Sequence, residues 1–290
     1  MRKGETSKRG FFLAVLLALG TVFFPAGAGN VASAATVADA DADGFPDTFE
    51  GGTTGTALNT FTFYGGGIKW SKCSLVPATP REGCVDPKKK DLFVVFPNAS
   101  AIMPPKGSRL TVFNKITSGD NTWAHDIPAT YVNTSTKKVL PGVTSTQKAV
   151  FVSDNPVNDQ SDILGITQIG TPNTTGGSTI YTRRIVSFLD TTCAGMRCID
   201  NTTQAVYGTA DNTFRNLFVG HVVAHELGHA VNLVTPADSV VGNHYPAENK
   251  VVMSQYVYKE YPNGTGGTDV KFFIPQTWTS NDRNLMKLKP

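Results

Sequence analysis

The sequence lacks an excess of charge of either sign. Its 290 residues include 26 Lys and Arg against 23 Asp and Glu. The first 34 residues hold four of the basic residues and one of the acidic residues, which leaves 22 of each sign in the rest of the chain. A balanced chain has no overall electrostatic attraction for nucleic acids or for anionic membranes. We therefore expect neither as a partner.

Long hydrophobic runs are also missing, except near the N-terminus. Residues 11–24 are apolar, too few to span a bilayer comfortably, and they follow a segment with four basic residues. Small residues at positions 32 and 34 suit a signal peptidase. The pattern predicts residues 1–34 as a signal peptide cleaved after Ala34. It also predicts a secreted, extracellular protein with no membrane span in its mature chain. An uncleaved N-terminal anchor is the alternative.

Cysteine is scarce, with only Cys73, Cys84, Cys193 and Cys198 in the chain. Neither close pair has the additional ligands of a zinc finger, which argues against a metal site made of cysteines. An even number of cysteines in an exported chain predicts two disulfide bonds. Pairing 73 with 84 and 193 with 198 is the simplest of the three possible connectivities.

Histidine is scarce as well, yet three of the five histidines lie within residues 221–232, HVVAHELGHAVN. Helix-capping residues precede this stretch, so we expect a helix. His225 and His229 are four apart and therefore share one helix face, where one tetrahedral zinc ion can take both rings. Glu226 between them can act as the general base, which is the HExxH arrangement. His221 lies two turns before His229, too far to join the same ion, so it is interpreted as a supporting or packing residue.

The segment HELGHAVNL…NHYPAENKVVMSQ, within residues 218–256, resembles the metzincin metalloproteases, whose pattern is HExxHxxGxxH followed by a methionine turn. The resemblance makes Met253 the methionine of that turn. Asn232 stands at the glycine that ends the helix, and asparagine also tolerates a left-handed turn. Thr235 stands where the third histidine is expected. His244 follows after an inserted loop and is the predicted third zinc ligand.

This resemblance implies an α+β fold, a metzincin-like zincin catalytic domain. Its mixed twisted sheet would pack on the active-site helix, and its C-terminal subdomain would be irregular. The implied function is that of a secreted zinc endopeptidase with a protein or peptide substrate, expected to be a monomer. Residues 163–170, ILGITQIG, are the candidate edge strand along which an extended peptide would lie. An ordinary core strand is the other interpretation of this segment.

Two other functions fit the same residues. In a gluzincin-like peptidase, Glu248 would be the third ligand, although HYPAENK around it has no helical pattern. Asp238 would suit an aspzincin, but the accompanying pattern of that family is missing. A non-catalytic extracellular binding module stabilised by metals is the third possibility, because the third histidine is displaced.

An acidic loop, DADADGFPDTFE, occupies residues 39–50 and resembles the calcium loops of thrombospondin type 3 repeats and dockerins. Its residues fill every ligand position of a twelve-residue calcium loop, with Gly44 at the sharp turn. A solvated acidic linker is the alternative. The predicted ligands of a structural Ca²⁺ are Asp39, Asp41, Asp43, Phe45 through its carbonyl, Asp47 and Glu50.

Together these patterns predict a chain of three parts. A signal peptide covers residues 1–34, the calcium-loop segment and a linker cover 35–67, and a zinc metallopeptidase domain covers 68–290. Strands are predicted at residues 91–96, 148–154, 163–170 and 180–190 from their short apolar runs.

Overall fold

The fold is known from a computed structural model, which describes residues 38–44, 46–50, 60–62, 69–72, 84–85, 88–106, 108–117, 122–133, 135–139, 147–155, 163–167, 177–209, 212–231, 233, 252–254 and 258–274. All of these residues belong to one unit, Val37–Pro290. The predicted signal peptide lies outside the described residues.

Strands outnumber helices in the described chain, and single helices separate groups of one to four strands. The helices are α1 (Asp47–Glu50), α2 (Thr111–Thr117), α3 (Thr182–Thr192) and α4 (Thr213–Ala230), with a 3-10 turn at Ala129–Tyr131. The strands are β1 (Thr60–Thr62), β2 (Lys69–Lys72), β3 (Cys84–Val85), β4 (Lys90–Val95), β5 (Thr122–Asp126), β6 (Val150–Asp154), β7 (Gly165–Thr167), β8 (Ser178–Ile180), β9 (Arg197–Asp200), β10 (Tyr258–Pro262) and β11 (Thr268–Phe272).

The central sheet has five strands in the order β5-β4-β6-β8-β7. The first four run parallel, and β7 pairs antiparallel with β8 at the edge. Strands β4 and β6 confirm the predictions for residues 91–96 and 148–154. β7 lies within the segment 163–170 and confirms a strand there, in the edge position.

Both faces of the central sheet are covered, which explains why β4 reads as an uninterrupted apolar run. Successive side chains of a strand point to opposite faces. Leu92 and Val94 enter the larger core with α4, whereas Phe93 and Val95 enter a second core with Ile127 and other apolar residues. The sheet therefore separates two hydrophobic layers, and α4 packs on one of them.

Helix α4 is the central helix of the larger core. Twelve of its 18 residues are buried; nine of them are apolar or glycine, and the other three are His221, Glu226 and His229. It packs against β6, β7 and β8 of the sheet and against α2. Asn212 precedes it in the left-handed conformation at φ 54° and makes no side-chain cap hydrogen bond. The helix is thus held by burial and not by its cap.

The strand predicted at residues 180–190 is wrong for most of its length. β8 ends at Ile180, and α3 begins at Thr182. The buried residues of α3 are Thr182, Ile185 and Leu189, which recur at helical spacing. The β-branched residues near Ile180 do form a strand, but the helical period decides the remainder.

The C-terminal region is more regular than predicted. Strands β10 and β11 form an antiparallel hairpin, and β11 also pairs parallel with β9. The hairpin turn falls in the Gly-rich segment 263–267, where Asn263 Oδ1 accepts hydrogen bonds from Thr265 N and Gly267 N. The expectation of a wholly irregular C-terminal region is therefore wrong for residues 258–272.

A disulfide bond joins Cys193 to Cys198 and closes the turn between α3 and β9, as predicted. Cys73 lies outside the described residues, so its pairing with Cys84 stays a prediction. At the coarse level the α+β expectation is confirmed. None of the helices in the described part of the chain is long and apolar enough to cross a membrane.

Candidate metal centres

Helix α4 brings His225 and His229 side by side. The centroids of their rings are 4.9 Å apart, and the ring planes are nearly perpendicular at 83°. Two nitrogens that ligate one tetrahedral zinc ion lie about 3.3 Å apart. Rings one helical turn apart with this spacing can direct one nitrogen each toward a shared ion. The sequence spacing therefore produces the expected pair.

The orientation of His225 suits metal ligation. Its Nδ1 lies 2.7 Å from the carbonyl oxygen of Val252, so the ring donates its Nδ1–H to the backbone. The tautomer with hydrogen on Nδ1 leaves the lone pair on Nε2, which is the atom available to a metal. This backbone contact lies in the segment 252–254, next to the predicted methionine turn.

Met253 is buried directly against the helix. A Cβ added to Gly228 would lie 2.5 Å from Met253 Sδ, so any side chain there would displace the end of the methionine. Leu233 also borders this position. Gly228 therefore allows Met253, the residue of the predicted methionine turn, to pack closely on the helix.

Glu226 is buried, with 4% of its surface exposed. Burial raises the pKa of Glu226 to about 7, and the hydrogen bond from Thr167 opposes this shift. Thr167 Oγ1 donates to Glu226 Oε2 at 2.6 Å and is itself 2.8 Å from Ser178 Oγ. The carboxylate of the predicted base is thus held by the edge strand β7.

A second contact between β7 and Glu226 is a close approach of the backbone. A Cβ added to Gly165 would lie 2.7 Å from Glu226 Oε1. Gly165 and Thr167 are two residues apart in the strand and face α4 together. Glycine at 165 makes room for the carboxylate that Thr167 holds.

His221 is a packing residue in the structure. It is buried, and its ring lies 6.4 Å from the ring of Phe218. Its Nδ1 has no hydrogen-bond partner among the described residues. Burial lowers the pKa of His221 to about 4, so the ring is neutral near pH 7.

The remaining residues predicted for the zinc site lie outside the described residues. They are Asn232, His244 and the alternative ligands Asp238 and Glu248. Among the described residues, α4 places the rings of His225 and His229 side by side, and Met253 packs on Gly228 between them in sequence.

The predicted calcium loop is folded, and its carboxylates form two groups. Side-chain oxygens of Asp39, Asp41 and Asp43 lie within 4.8 Å of one another. Asp39 accepts hydrogen bonds from Asp43 N at 3.2 Å and Gly44 N at 2.9 Å, which close the loop around it. Gly44 has φ 88°, a conformation that glycine adopts without strain.

The other three predicted calcium ligands are Phe45, Asp47 and Glu50. Asp47 Oδ1 accepts a hydrogen bond from Ala40 N at 2.7 Å and belongs to neither carboxylate group among the described residues. Phe45 lies outside the described residues. Glu50 belongs to the second group.

The second group joins the loop to the sheet and contains a residue that the sequence analysis missed. Oxygens of Asp43, Glu50 and Asp91 lie within 4.8 Å of one another, and all three residues are buried. Asp91 is the second residue of β4. The side chain of Asp91 also contacts His125 of β5, whose Nε2 lies 2.5 Å from Asp91 Oδ1.

Burial and neighbouring negative charge both raise pKa values in the two carboxylate groups. Burial raises the pKa of Glu50 far above its usual range, and the neighbouring carboxylates of Asp91 and Asp43 raise it further. The pKa of Asp41 is raised to about 7, first by burial and then by Asp39. A bound cation would relieve both effects.

No protein-family model matches the chain, and neither a curated protein nor a solved structure is significantly similar to it. The metzincin resemblance therefore rests on the motifs of this chain alone: the HExxH segment, the methionine turn, and the acidic loop followed by KDLFV at residues 90–94, which is similar to the start of the catalytic domain in exported bacterial zinc proteases.

Proposed function

We propose that the protein is a zinc-dependent endopeptidase with Glu226 as its general base. The observation that carries the proposal is the arrangement on α4. His225 and His229 stand one turn apart with Nδ1 of His225 on the Val252 carbonyl, and the buried Glu226 follows His225 in the same turn of the helix. His244 is the proposed third ligand, carried over from the metzincin resemblance. A zinc ion bound there would activate water and polarise the scissile carbonyl.

Glu226 suits the role of a base that takes up a proton and later releases it. Its pKa of about 7 is close to neutral pH, where a group can both accept and donate a proton readily. Thr167 holds one carboxylate oxygen, which fixes the direction of the group. The proton accepted from water would pass to the leaving amine of the cleaved peptide.

The edge strand β7 supports an extended peptide as the substrate. It is the outermost strand of the central sheet on the side where Thr167 meets Glu226. An unpaired strand edge can bind a peptide through backbone hydrogen bonds. Ile163 and Ile166 are 37% and 44% exposed there, so the peptide side chains beside them are expected to be apolar.

The test is cleavage of a peptide library by the purified, zinc-loaded protein, read by mass spectrometry of the new termini. Glu226→Gln is the matched control, because it keeps the shape of the side chain and removes the base. The proposal expects cleavage by the wild type and a loss of at least about 1,000-fold in the variant, the upper part of what a general base contributes. Apolar residues should be enriched around the cleavage sites.

Two results would contradict the proposal. Equal cleavage by the variant would show that the activity is a contaminant or uses another base. No cleavage by a folded wild-type protein that contains zinc would favour the non-catalytic binding module.

A further inference from the structure

The loop of residues 39–50 packs on the first residues of β4 through backbone contacts. Asp91 N donates to Asp43 Oδ2 at 2.7 Å, and Gln147 N donates to Gly44 O at 3.2 Å. The Gln147 side-chain amide also donates to the Asp91 carbonyl. These contacts bring the carboxylate of Asp91 in the sheet close to those of Asp43 and Glu50 in the loop. Repulsion between like charges opposes this arrangement.

Glu50 has the most unusual environment in this group. None of its surface is exposed, and neither carboxylate oxygen has a hydrogen-bond partner among the described residues. The charged groups that face it are carboxylates, Asp91 first and then Asp43. A buried carboxylate without a donor is strongly unfavourable unless a cation or a proton neutralises it.

We propose that Asp43, Glu50 and Asp91 hold a Ca²⁺ ion that fastens the N-terminal loop to strand β4 of the central sheet. This inference is independent of the proposed peptidase activity. It differs from a calcium site made by the loop alone, because Asp91 supplies a ligand from the folded core 41 positions after Glu50.

The donor set favours Ca²⁺ among divalent cations. All three ligands are carboxylates, the oxygen donors of hard cations, and there is no cysteine or histidine among them. Oxygens on opposite sides of Ca²⁺ are about 4.6–5.2 Å apart, so three oxygens within 4.8 Å of one another can reach one ion. Mg²⁺ requires shorter, strictly octahedral bonds and retains its water more strongly.

His125 has a supporting role in this site. With its Nε2 on Asp91 Oδ1, it orients the carboxylate so that the other oxygen can face the loop. Its ring packs on Phe93, 5.4 Å between centroids, in the second hydrophobic core. Hydrogen bonds of this kind to a ligating carboxylate commonly fix its direction at a metal site.

The test is metal binding by the purified protein with zinc present in saturating amount, so that the histidine site is filled. Calcium affinity is measured by calorimetry, and Tb³⁺, which takes the same oxygen ligands, serves as a luminescent probe. Asp91 is the register partner of Trp123 on β5, so this tryptophan is expected to sensitise the Tb³⁺ emission. Trp123→Phe should remove the emission and leave the calcium affinity unchanged.

Three conservative variants separate the site from its alternatives. Asp91→Asn and Glu50→Gln should each weaken calcium binding by about 10-fold or more, since each removes one charged ligand. Asp47→Asn is the matched control in the same loop and should change the affinity less than about twofold, because its carboxylate is outside the group. A site confined to the loop would instead be insensitive to Asp91→Asn.

Thermal unfolding gives a second measurement that does not require a variant to bind metal. Without calcium, Glu50→Gln should melt at the same temperature as the wild type or higher, because glutamine folds without the proton uptake that the buried Glu50 carboxylate requires. With calcium, the wild type should melt higher than the variant. The proposal is overturned by unchanged calcium affinity in Asp91→Asn. Absence of both calcium binding and Trp123-sensitised emission in the wild type would overturn it as well.

Discussion

At the scale of single residues, Thr167 controls the position of the proposed base. We predict that Thr167→Val lowers kcat/KM by about 10- to 100-fold, because the valine has a similar shape but donates no hydrogen bond to Glu226. The zinc content should not change, since Thr167 contacts neither His225 nor His229 in any hydrogen bond described. The measurement is peptide cleavage beside metal analysis of the same samples.

Thr167→Ser provides the rescue for this prediction. It retains the hydroxyl and should recover most of the activity lost in Thr167→Val. If Thr167→Val is as active as the wild type, then the hydrogen bond does not orient the base. If it loses zinc, then its effect is structural.

His221 gives a prediction for stability against pH. Its pKa is lowered from 6.5 to about 4 in the folded protein, so between these values the unfolded state binds more protons than the folded state. Stability should therefore fall as the pH falls from 6.5 to 4, by up to about 3 kcal/mol from this residue. In His221→Leu, the free energy of unfolding should fall less over this pH range, because the contribution of His221 is missing. The measurement is the difference in unfolding free energy between the two proteins at each pH.

Carboxylates that titrate in the same pH range contribute equally to the stability of both proteins, so the comparison with His221→Leu cancels their contribution. Both proteins are unfolded in chelator, so that metal binding does not add its own pH dependence. Parallel stability profiles for the two proteins would show that His221 titrates normally and is not the buried neutral residue described.

The residues of the candidate sites differ in how far the sequence could reveal them. His225, Glu226 and His229 lie within one helical turn, so a local pattern is sufficient. Thr167 meets Glu226 across 59 positions and Asp91 meets Asp43 across 48. Contacts of that kind depend on the tertiary fold. The one local sign was a charged residue, Asp91, at the start of an apolar strand that is buried on both faces.

At the scale of secondary-structure elements, the close approach of β7 to α4 leads to a prediction about Gly165. We expect Gly165→Ala to lower peptide cleavage by about 10-fold or more, because the new Cβ would lie 2.7 Å from Glu226 Oε1 and must displace it. Zinc binding should persist. Activity and bound zinc are measured together.

Gly264→Ala is the matched control for this substitution. Nothing lies within 4 Å of a Cβ added to Gly264 in the turn between β10 and β11. It should leave both activity and melting temperature nearly unchanged. Full activity of Gly165→Ala would mean that β7 can move away from α4 without disturbing Glu226.

The secondary-structure elements could be predicted where the sequence carries a single hydrophobic pattern, either that of a helix or that of a strand. Strand β4 is buried on both faces and helix α4 is a long, mostly apolar segment without proline, so each gave a clear signal. Residues 180–190 mix both patterns, since β8 runs into α3 after one residue. The hairpin of β10 and β11 is held partly by the parallel pairing of β11 with β9, about 70 positions earlier, which no local pattern reveals.

At the scale of the whole molecule, the central sheet separates the two candidate metal centres. Leu92 and Val94 of β4 face the core that contains α4. Asp91 shares the opposite face with Phe93, because side chains alternate along a strand. Removal of calcium should therefore act on stability and on the attachment of the N-terminal loop, and it should leave the zinc content unchanged.

The proposed zinc centre also needs a third ligand, and the metzincin and gluzincin alternatives differ in which residue supplies it. We predict that His244→Ala lowers zinc affinity by more than about 100-fold, whereas Glu248→Ala leaves it nearly unchanged. The reason is that loss of one of three protein ligands exceeds the 10- to 100-fold effect of a supporting residue. Zinc affinity is measured by competition with a chromophoric chelator, and folding is checked by circular dichroism.

The opposite result would identify a different enzyme with the same helix. If Glu248→Ala loses zinc and His244→Ala retains it, the third ligand is a glutamate and the metzincin resemblance ends at the HExxH segment. Loss of zinc in neither variant would leave His225 and His229 with a ligand from elsewhere in the chain. The methionine turn is common to both outcomes, because Met253 packs on Gly228 whatever the third ligand is. Zinc affinity of the two variants therefore tests the ligand set independently of peptide cleavage.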